Sequence, residues 1–197
     1  RGKACGFFWT EGIRGLGWAV DAVPTLKGGS TVGIPSPPAI WFPDGRIATP
    51  DLRDAERMQG FEPDWTKPVE SVARPGFRWK LVGNAVTVNV AAWVGECLAA
   101  PADANPWGMA QGPINGSWPK AAYGSRQGRF AVATTTWPVA RKQRPLTTFL
   151  RFPPKLLSMK GTRGFYSRLT SGTLRYPDEF GKALREHLER LALEALA

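Results

Sequence analysis

Cysteine is scarce in this sequence. Cys5 and Cys97 are the only two among 197 residues. Their separation fits neither a zinc site nor a disulfide framework and suits a reducing compartment. The one histidine, His187, excludes a histidine-rich metal cluster, and its place in a late amphipathic segment is that of a surface side chain. No metal site is expected. No apolar run is read as long enough to span a bilayer, so no membrane partner is expected either. Acidic residues are missing from one long stretch: none stands between Asp103 and Asp178, where twelve lysines and arginines occur.

What is there is the composition of a folded domain, 43% hydrophobic and 21% charged, in a length that can bury a core. The net charge of +10 is unevenly placed: residues 1–100 hold 11 basic against 10 acidic residues, and residues 101–197 hold 15 against 6. A long stretch of one sign points to a polyanionic partner, nucleic acid first. Within it, "RKQRPLTTFLRFPPKLLSMKGTRGFYSRL" interleaves cations with aromatic and aliphatic residues. Arg141, Lys142, Arg144, Arg151 and Lys155 are the candidate phosphate contacts on double-stranded DNA. Trp137, Phe149, Phe152, Phe165 and Phe180 are expected in a core. A rival reading has the cations neutralising acidic residues on another part of the protein.

Residues 1–46, rich in glycine, proline and aromatics, read as short strands and ordered loops. The Gly-x-Gly of "GLGWA" lacks a strand before it and a helix after it, so it is not taken as a phosphate loop. A helix is predicted over Pro50–Gln59, with Thr49 as cap, Leu52, Ala55 and Met58 on one face and Gly60 as its stop. "FRWKLV" is predicted as a strand and Gly83-Asn84 as a tight turn. The helix after it carries Val86, Val90, Val94 and Leu98 on one face, with Cys97 expected as a small buried hydrophobe. A closing helix starts at Pro177 to Glu179 and has Phe180, Leu184, Leu188, Leu191 and Ala195 as its apolar stripe.

Two of these segments, in this order, resemble motifs of a known family. "TPDLRDAERMQGFEPDW" resembles the ninth conserved motif of the DNA cytosine-5 methyltransferases. Arg53, Arg57, Gln59, Gly60 and Phe61 match it, with Asp54 for its Glu and Met58 for its Leu. "KLVGNAVTVNVAAWVGECL" resembles the tenth, a Gly-Asn-Ala/Ser-Val turn opening a helix. "AVPTLKGG" resembles the Pro-Thr segment leading out of the family's target-recognition region. The resemblance spans residues 16–100.

That resemblance implies an α/β fold: the C-terminal portion of an S-adenosylmethionine-dependent, Rossmann-like methyltransferase, followed by a small mixed α+β basic extension. It implies that Gly83, Asn84, Ala85 and Val86 help close the pocket for S-adenosylmethionine. It also implies that the helix of Arg53, Arg57, Gln59 and Gly60 braces the recognition region against the catalytic core. Gly83 permits close backbone approach, and the helix start offers N–H groups to a carboxylate. Asn84 either adds an amide contact or caps its own helix.

The family's nucleophile, a cysteine after proline, and its acid, in Glu-Asn-Val, are absent: Cys5 follows Ala4, Cys97 follows Glu96, and no Glu-Asn pair occurs. No residue is therefore assigned a catalytic role. The expected domains are 1–45, the end of the recognition region; 46–100, the last part of the catalytic domain; 101–118, a linker; and 119–197, the basic extension. Because the chain opens at Arg1, it is expected to be the C-terminal part of a longer enzyme. A split subunit and a non-catalytic DNA-binding relative are the alternatives. The expected partners are double-stranded DNA and an N-terminal catalytic part, in a prokaryotic cytoplasm or encoded by a phage.

Overall fold

In the computed structural model, which describes residues 2–9, 15–28, 37–101, 110–114, 116–133 and 144–196, the chain opens with four strands: β1 (Cys5–Trp9), β2 (Leu16–Val20), β3 (Ala39–Trp41) and β4 (Ile47–Thr49). Then come α1 (Leu52–Met58), a 3-10 turn (Lys67–Ser71), α2 (Phe77–Asn84) and α3 (Val88–Ala99). Strands β5 (Ala110–Pro113), β6 (Ala122–Ser125) and β7 (Gly128–Val132) follow. The last elements are α4 (Leu146–Phe149), β8 (Lys155–Leu156), α5 (Met159–Ser171) and α6 (Asp178–Glu194).

Two compact units result, one of residues 1–92 with 144–197 and one of residues 93–143. The first is built on a five-stranded sheet of order β2-β1-β3-β4-β8. Its strand side chains alternate between two faces, and each face has its own cover. Phe7, Ala39, Trp41 and Ile47 meet Phe165 and Leu169 of α5 and Phe180 and Leu184 of α6. Ala4, Ile40 and Ala48 meet Leu146 of α4, with Met58 of α1 and Leu150 alongside. Phe180 sits among aromatic rings, 5.1 Å from Phe7, 4.6 Å from Trp18 and 5.3 Å from Trp41 between centroids. Such tilted and edge-on pairs add about 0.5–1.5 kcal/mol each beyond area burial. The second unit contains a three-stranded sheet of order β5-β7-β6.

Several sequence expectations change here. The division at 119 does not hold, because β8 pairs with β4 through Ala48↔Leu156 and Thr49↔Lys155. The C-terminal part thus completes the first sheet. The fold is mixed α/β as expected, yet every strand pair among the described residues is antiparallel, whereas a Rossmann-like sheet is parallel. "FRWKLV" is helical in α2, which buries Arg78 and Val82, four residues apart on one face. The Gly-x-Gly of "GLGWA" leads into β2, with Gly15 just before the strand and Gly17 within it. Asp51, in place of Thr49, caps α1, its carboxylate accepting from the Arg53 N–H at 2.9 Å.

Residues 77–99 also depart from expectation. By length and composition, Phe77–Ala99 is long and apolar enough to cross a membrane, and it is almost wholly exposed. Arg78, Lys80 and Asn84 interrupt the run in sequence, which hid its overall hydropathy. Two features oppose a spanning role. The helix breaks between Asn84 and Val88, and Arg78 is tied to Glu56, Asp64 and Glu70, an ion cluster that hydrocarbon disfavours.

His187 is buried, with 2% exposure, where a surface side chain was expected. Its Nε2 lies 2.8 Å from the Leu157 carbonyl, and its Nδ1 lies 2.8 Å from an Arg190 guanidinium nitrogen. The neutral ring satisfies both contacts, with Nε2–H donating to the carbonyl and Nδ1 accepting from Arg190. Burial, above all, holds its pKa below the ordinary 6.5, and the neighbouring Arg190 charge adds to that. Between the native and unfolded pKa values, the unfolded chain binds a proton that the native chain does not. Stability should therefore be full above about pH 6.5 and fall as pH drops below it, levelling off under the native pKa. Thermal melts from pH 8 to pH 5.5 should show this decline in the wild type. It should vanish in His187→Gln, and persistence of the decline in that variant would rule out His187 as its source.

Candidate functional site

α1 ends in a Schellman motif built from Gln59, Gly60 and Phe61. The Gly60 N–H donates to the Arg57 carbonyl and the Phe61 N–H to the Glu56 carbonyl, both at 3.0 Å. Gly60 has φ +88°, the left-handed geometry this position requires. The motif leaves Gln59 buried and aimed at the α2–α3 junction. Its Nε2 donates to the Val82 carbonyl at 3.0 Å, and its Oε1 accepts from the Thr87 hydroxyl at 2.7 Å. Its own carbonyl accepts from the Val88 N–H at 2.8 Å. One glutamine therefore holds both sides of the Asn84–Thr87 turn.

The turn is held from a second direction by the segment 27–28. A side chain at Gly83 would place its Cβ 2.0 Å from the Lys27 carbonyl carbon and 2.2 Å from the Gly28 nitrogen. A Cβ at Gly28 would meet the Asn84 Oδ1 at 2.0 Å. Two facing glycines thus let two backbone segments touch. This changes the reading of Gly83: its close approach is to Lys27–Gly28 and not to a ligand. The α3 start is also partly committed, since the Val88 N–H already has Gln59 as acceptor. Asn84 and Val86 remain exposed on the turn, Val86 at 68%, and Ala85 is half-buried between them.

Alongside runs an apolar cleft of about 270 Å³ lined by Phe61, Trp65, Pro68, Val69, Leu81 and Ala85, among others. Phe61 and Trp65 stack at its side, 5.7 Å between centroids. Farther on, Val90, Trp93, Val94 and Leu98 of α3 are all exposed, from 42% to 76%. Cys97 is exposed too, contrary to the expected burial. Cys5 is the buried cysteine, and burial raises its thiol pKa.

The polar side of α1 is fully used. Glu56 is inaccessible to solvent and accepts from the Asp64 N–H at 2.6 Å, the Thr66 N–H at 2.8 Å and the Thr66 hydroxyl. Arg78 donates to it at 3.0 Å and also reaches Asp64, Glu70 and the Thr66 hydroxyl. Burial lowers the Arg78 pKa, but its bonds to Glu70, Glu56 and Asp64 outweigh that and hold it above the ordinary value. Asp54, also buried, accepts from the Arg151 and Phe152 N–H groups at 3.0–3.1 Å. Arg57 bonds Asp54 and the Phe149 carbonyl and lies 4.4 Å over the Phe149 ring. Arg53 salt-bridges Asp51 at 2.8 Å and lies 3.9 Å over the Phe152 ring. That bond is the main cause holding the Asp51 carboxyl below the usual range.

The structure therefore brings Gln59 and Gly60 to the turn of Gly83, Asn84, Ala85 and Val86, while Arg53 and Arg57 are committed to Asp51, Asp54, Phe149 and Phe152 instead. Sequence reading missed Asp54, Glu56 and Arg78 as organising residues; two acids three and five residues past a helix cap carried no sign of their distant partners. Arg144, Arg151 and Lys155 are exposed, and α1 grips the segment that carries Arg151. Arg141, Lys142 and Trp137 lie outside the described residues. Phe165 and Phe180 are core residues, while Phe149 and Phe152 are half-buried under the α1 arginines.

Three segments distant in sequence, 27–28, 59–61 and 83–88, converge on one turn. The chain is similar to a methyltransferase. It is 41% identical over 190 residues to the Type II methyltransferase M2.BsuMI of Bacillus subtilis (strain 168), over 94% of this chain and 49% of that protein. The chain thus spans about half the length of this curated relative. A match of 94% takes in residues from both compact units. No family model matches, and no solved structure matches.

Proposed function

We propose that this chain is the C-terminal half of a DNA cytosine-5 methyltransferase, an enzyme moving a methyl group from S-adenosylmethionine to carbon 5 of cytosine in double-stranded DNA. The observation that carries this reading is the convergence of all three family-like segments on the Asn84–Val86 turn, clamped by Gln59. Similarity to a methyltransferase twice as long supports it. The relative's remaining length leaves room for a catalytic half bearing the Pro-Cys nucleophile that this chain lacks.

In this reading the chain supplies one wall of a site and no reacting group. Asn84, an exposed amide on a rigidly held turn, would hydrogen-bond the cofactor, and Ala85 and Val86 would pack on it. When bound, the cofactor supplies the methyl group. The turn's contribution is orientation, because Gln59 and the 27–28 segment leave it little freedom to move. The exposed face of α3 is covered by the catalytic half and not by lipid, and closure there excludes water. Arg144, Arg151 and Lys155 contact DNA phosphates.

The 197 residues alone should transfer no labelled methyl to duplex DNA. Combined with an N-terminal half bearing Pro-Cys, they should restore transfer. Label incorporation by the isolated chain would overturn the division of roles. In the combined enzyme, Asn84→Ala should weaken S-adenosylmethionine binding by about 1–3 kcal/mol with cofactor-free DNA binding unchanged. Equal loss of both would mean that Asn84 only supports the turn.

A further inference from the structure

Lys120, Arg126 and Arg129 are the only charged residues of segment 110–133, which contains no acid. The sheet β5-β7-β6 arranges them. Among the described residues, β5 and its continuation accompany β7 as far as Ile114, whose N–H donates to the Arg129 carbonyl at 3.1 Å. Beyond that bond β6 and β7 continue as a two-stranded ribbon, pairing Ser125↔Gly128. Arg126 and Gln127 form the exposed tip.

The tip is internally braced. The Ser125 hydroxyl accepts from the Gln127 N–H at 3.1 Å and donates to Gln127 Oε1 at 2.6 Å. That fixes the Gln127 side chain and leaves its NH₂ and the second lone pair of Oε1 for another partner. One face of the ribbon pairs Tyr123 with Phe130, both half-buried. The other carries Ala122, Gly124 and Arg129, all exposed. The Arg129 guanidinium lies 5.4 Å over the exposed Trp118 ring.

We infer that this ribbon is a DNA-reading element that enters the major groove, with Arg126 and Gln127 at base edges and Arg129 and Lys120 toward phosphates. The groove, about 12 Å wide and about 8.5 Å deep, admits a two-stranded β-ribbon. Two residues on each side, at about 3.3 Å per residue, reach roughly 7 Å, and the side chains of Arg126 and Gln127 carry the polar groups of the tip on to the groove floor. Ala122 and Gly124 add no bulk at the entering face. Arginine pairs bidentately with guanine and glutamine with adenine, so the two tip residues are those suited to base readout. The inference rests on the preceding reading only in taking duplex DNA as the polymer. It does not depend on methyl transfer.

The test uses the full 197-residue chain without cofactor. A preferred duplex is selected from a randomised pool, and affinities for it and for a scrambled duplex are measured against salt. Arg126→Ala and Gln127→Ala should each lower the preference for the selected duplex about tenfold and leave scrambled-duplex affinity nearly unchanged. Arg129→Gln should weaken both duplexes alike and flatten the slope of log K against log salt by about one. Circular dichroism spectra matching the wild type establish that the variants fold. The inference is overturned if the wild-type chain binds no duplex, if it prefers single-stranded RNA, or if the tip variants weaken both duplexes equally or leave both unchanged. A chain that reads DNA through Arg126 and Gln127 yet restores no methylation sinks the methyltransferase reading alone.

Discussion

Arg78→Met should destabilise the chain by about 3–5 kcal/mol, the usual loss when one partner of a buried ion pair is removed. Glu56 is fully buried and Arg78 only 7% exposed. The carboxylate keeps its bonds from Asp64 and Thr66 but loses its cation. Arg78 also reaches Asp64 and Glu70, so the variant frees the 3-10 turn from α2 as well. Arg78→Lys should recover part of the loss, since it restores charge without the planar fork that spans several acceptors. Glu56→Gln together with Arg78→Met should lose less than Arg78→Met alone, because no unpaired buried charge is left behind; Asp64 and Glu70 are partly solvated. Urea midpoints at constant slope measure all three. A loss below about 1 kcal/mol in Arg78→Met would mean that the cluster behaves as a solvated surface pair.

Gly83→Ala should cost about 3 kcal/mol, at the upper end of overpacking penalties. The added Cβ meets backbone, 2.0 Å from the Lys27 carbonyl carbon and 2.2 Å from the Gly28 nitrogen, so no side-chain rotation relieves it. The segments 27–28 and 83–84 must separate. Gly28→Ala makes a useful contrast. Its Cβ meets the Asn84 Oδ1, the end of a side chain that can turn away. That variant should lose much less stability, yet in the combined enzyme it should weaken cofactor binding as Asn84 is displaced. Equal stability loss in the two variants would show that the contact between the segments is not what Gly83 provides.

Both predictions concern residues whose importance the chain's local pattern barely signals. Local rules do account for much of the fold. Gly60 ends α1 because a helix C-terminus favours a residue with positive φ, and the amphipathic stripe of α6 places Phe180 and Leu184 in the core with Leu188 and Leu191 half-buried at its edge. The strands of residues 1–46 follow from their aromatic and glycine-rich composition, and the motif-like spacing of Gln59-Gly60 and Gly83-Asn84 singles out the site.

Long-range pairing decided the rest. "FRWKLV" has the composition of a strand, but Arg78 and Val82 find buried partners on α1 and the following loop only when they share a helical face. Nothing local shows what Glu56 and Asp54 hold, because the groups that donate to them come from residues 64–66 and 151–152, and from Arg78. Leu156 joins Ala48 across more than a hundred residues of chain, and sequence carries no local trace of such a pairing. The amino-acid order therefore determined which segments would be helices, turns and basic stretches wherever the physics is local. Only the folded chain decided that segments 27–28, 59–61 and 83–88 meet at one turn, since backbone contact between distant segments depends on packing that no local periodicity encodes.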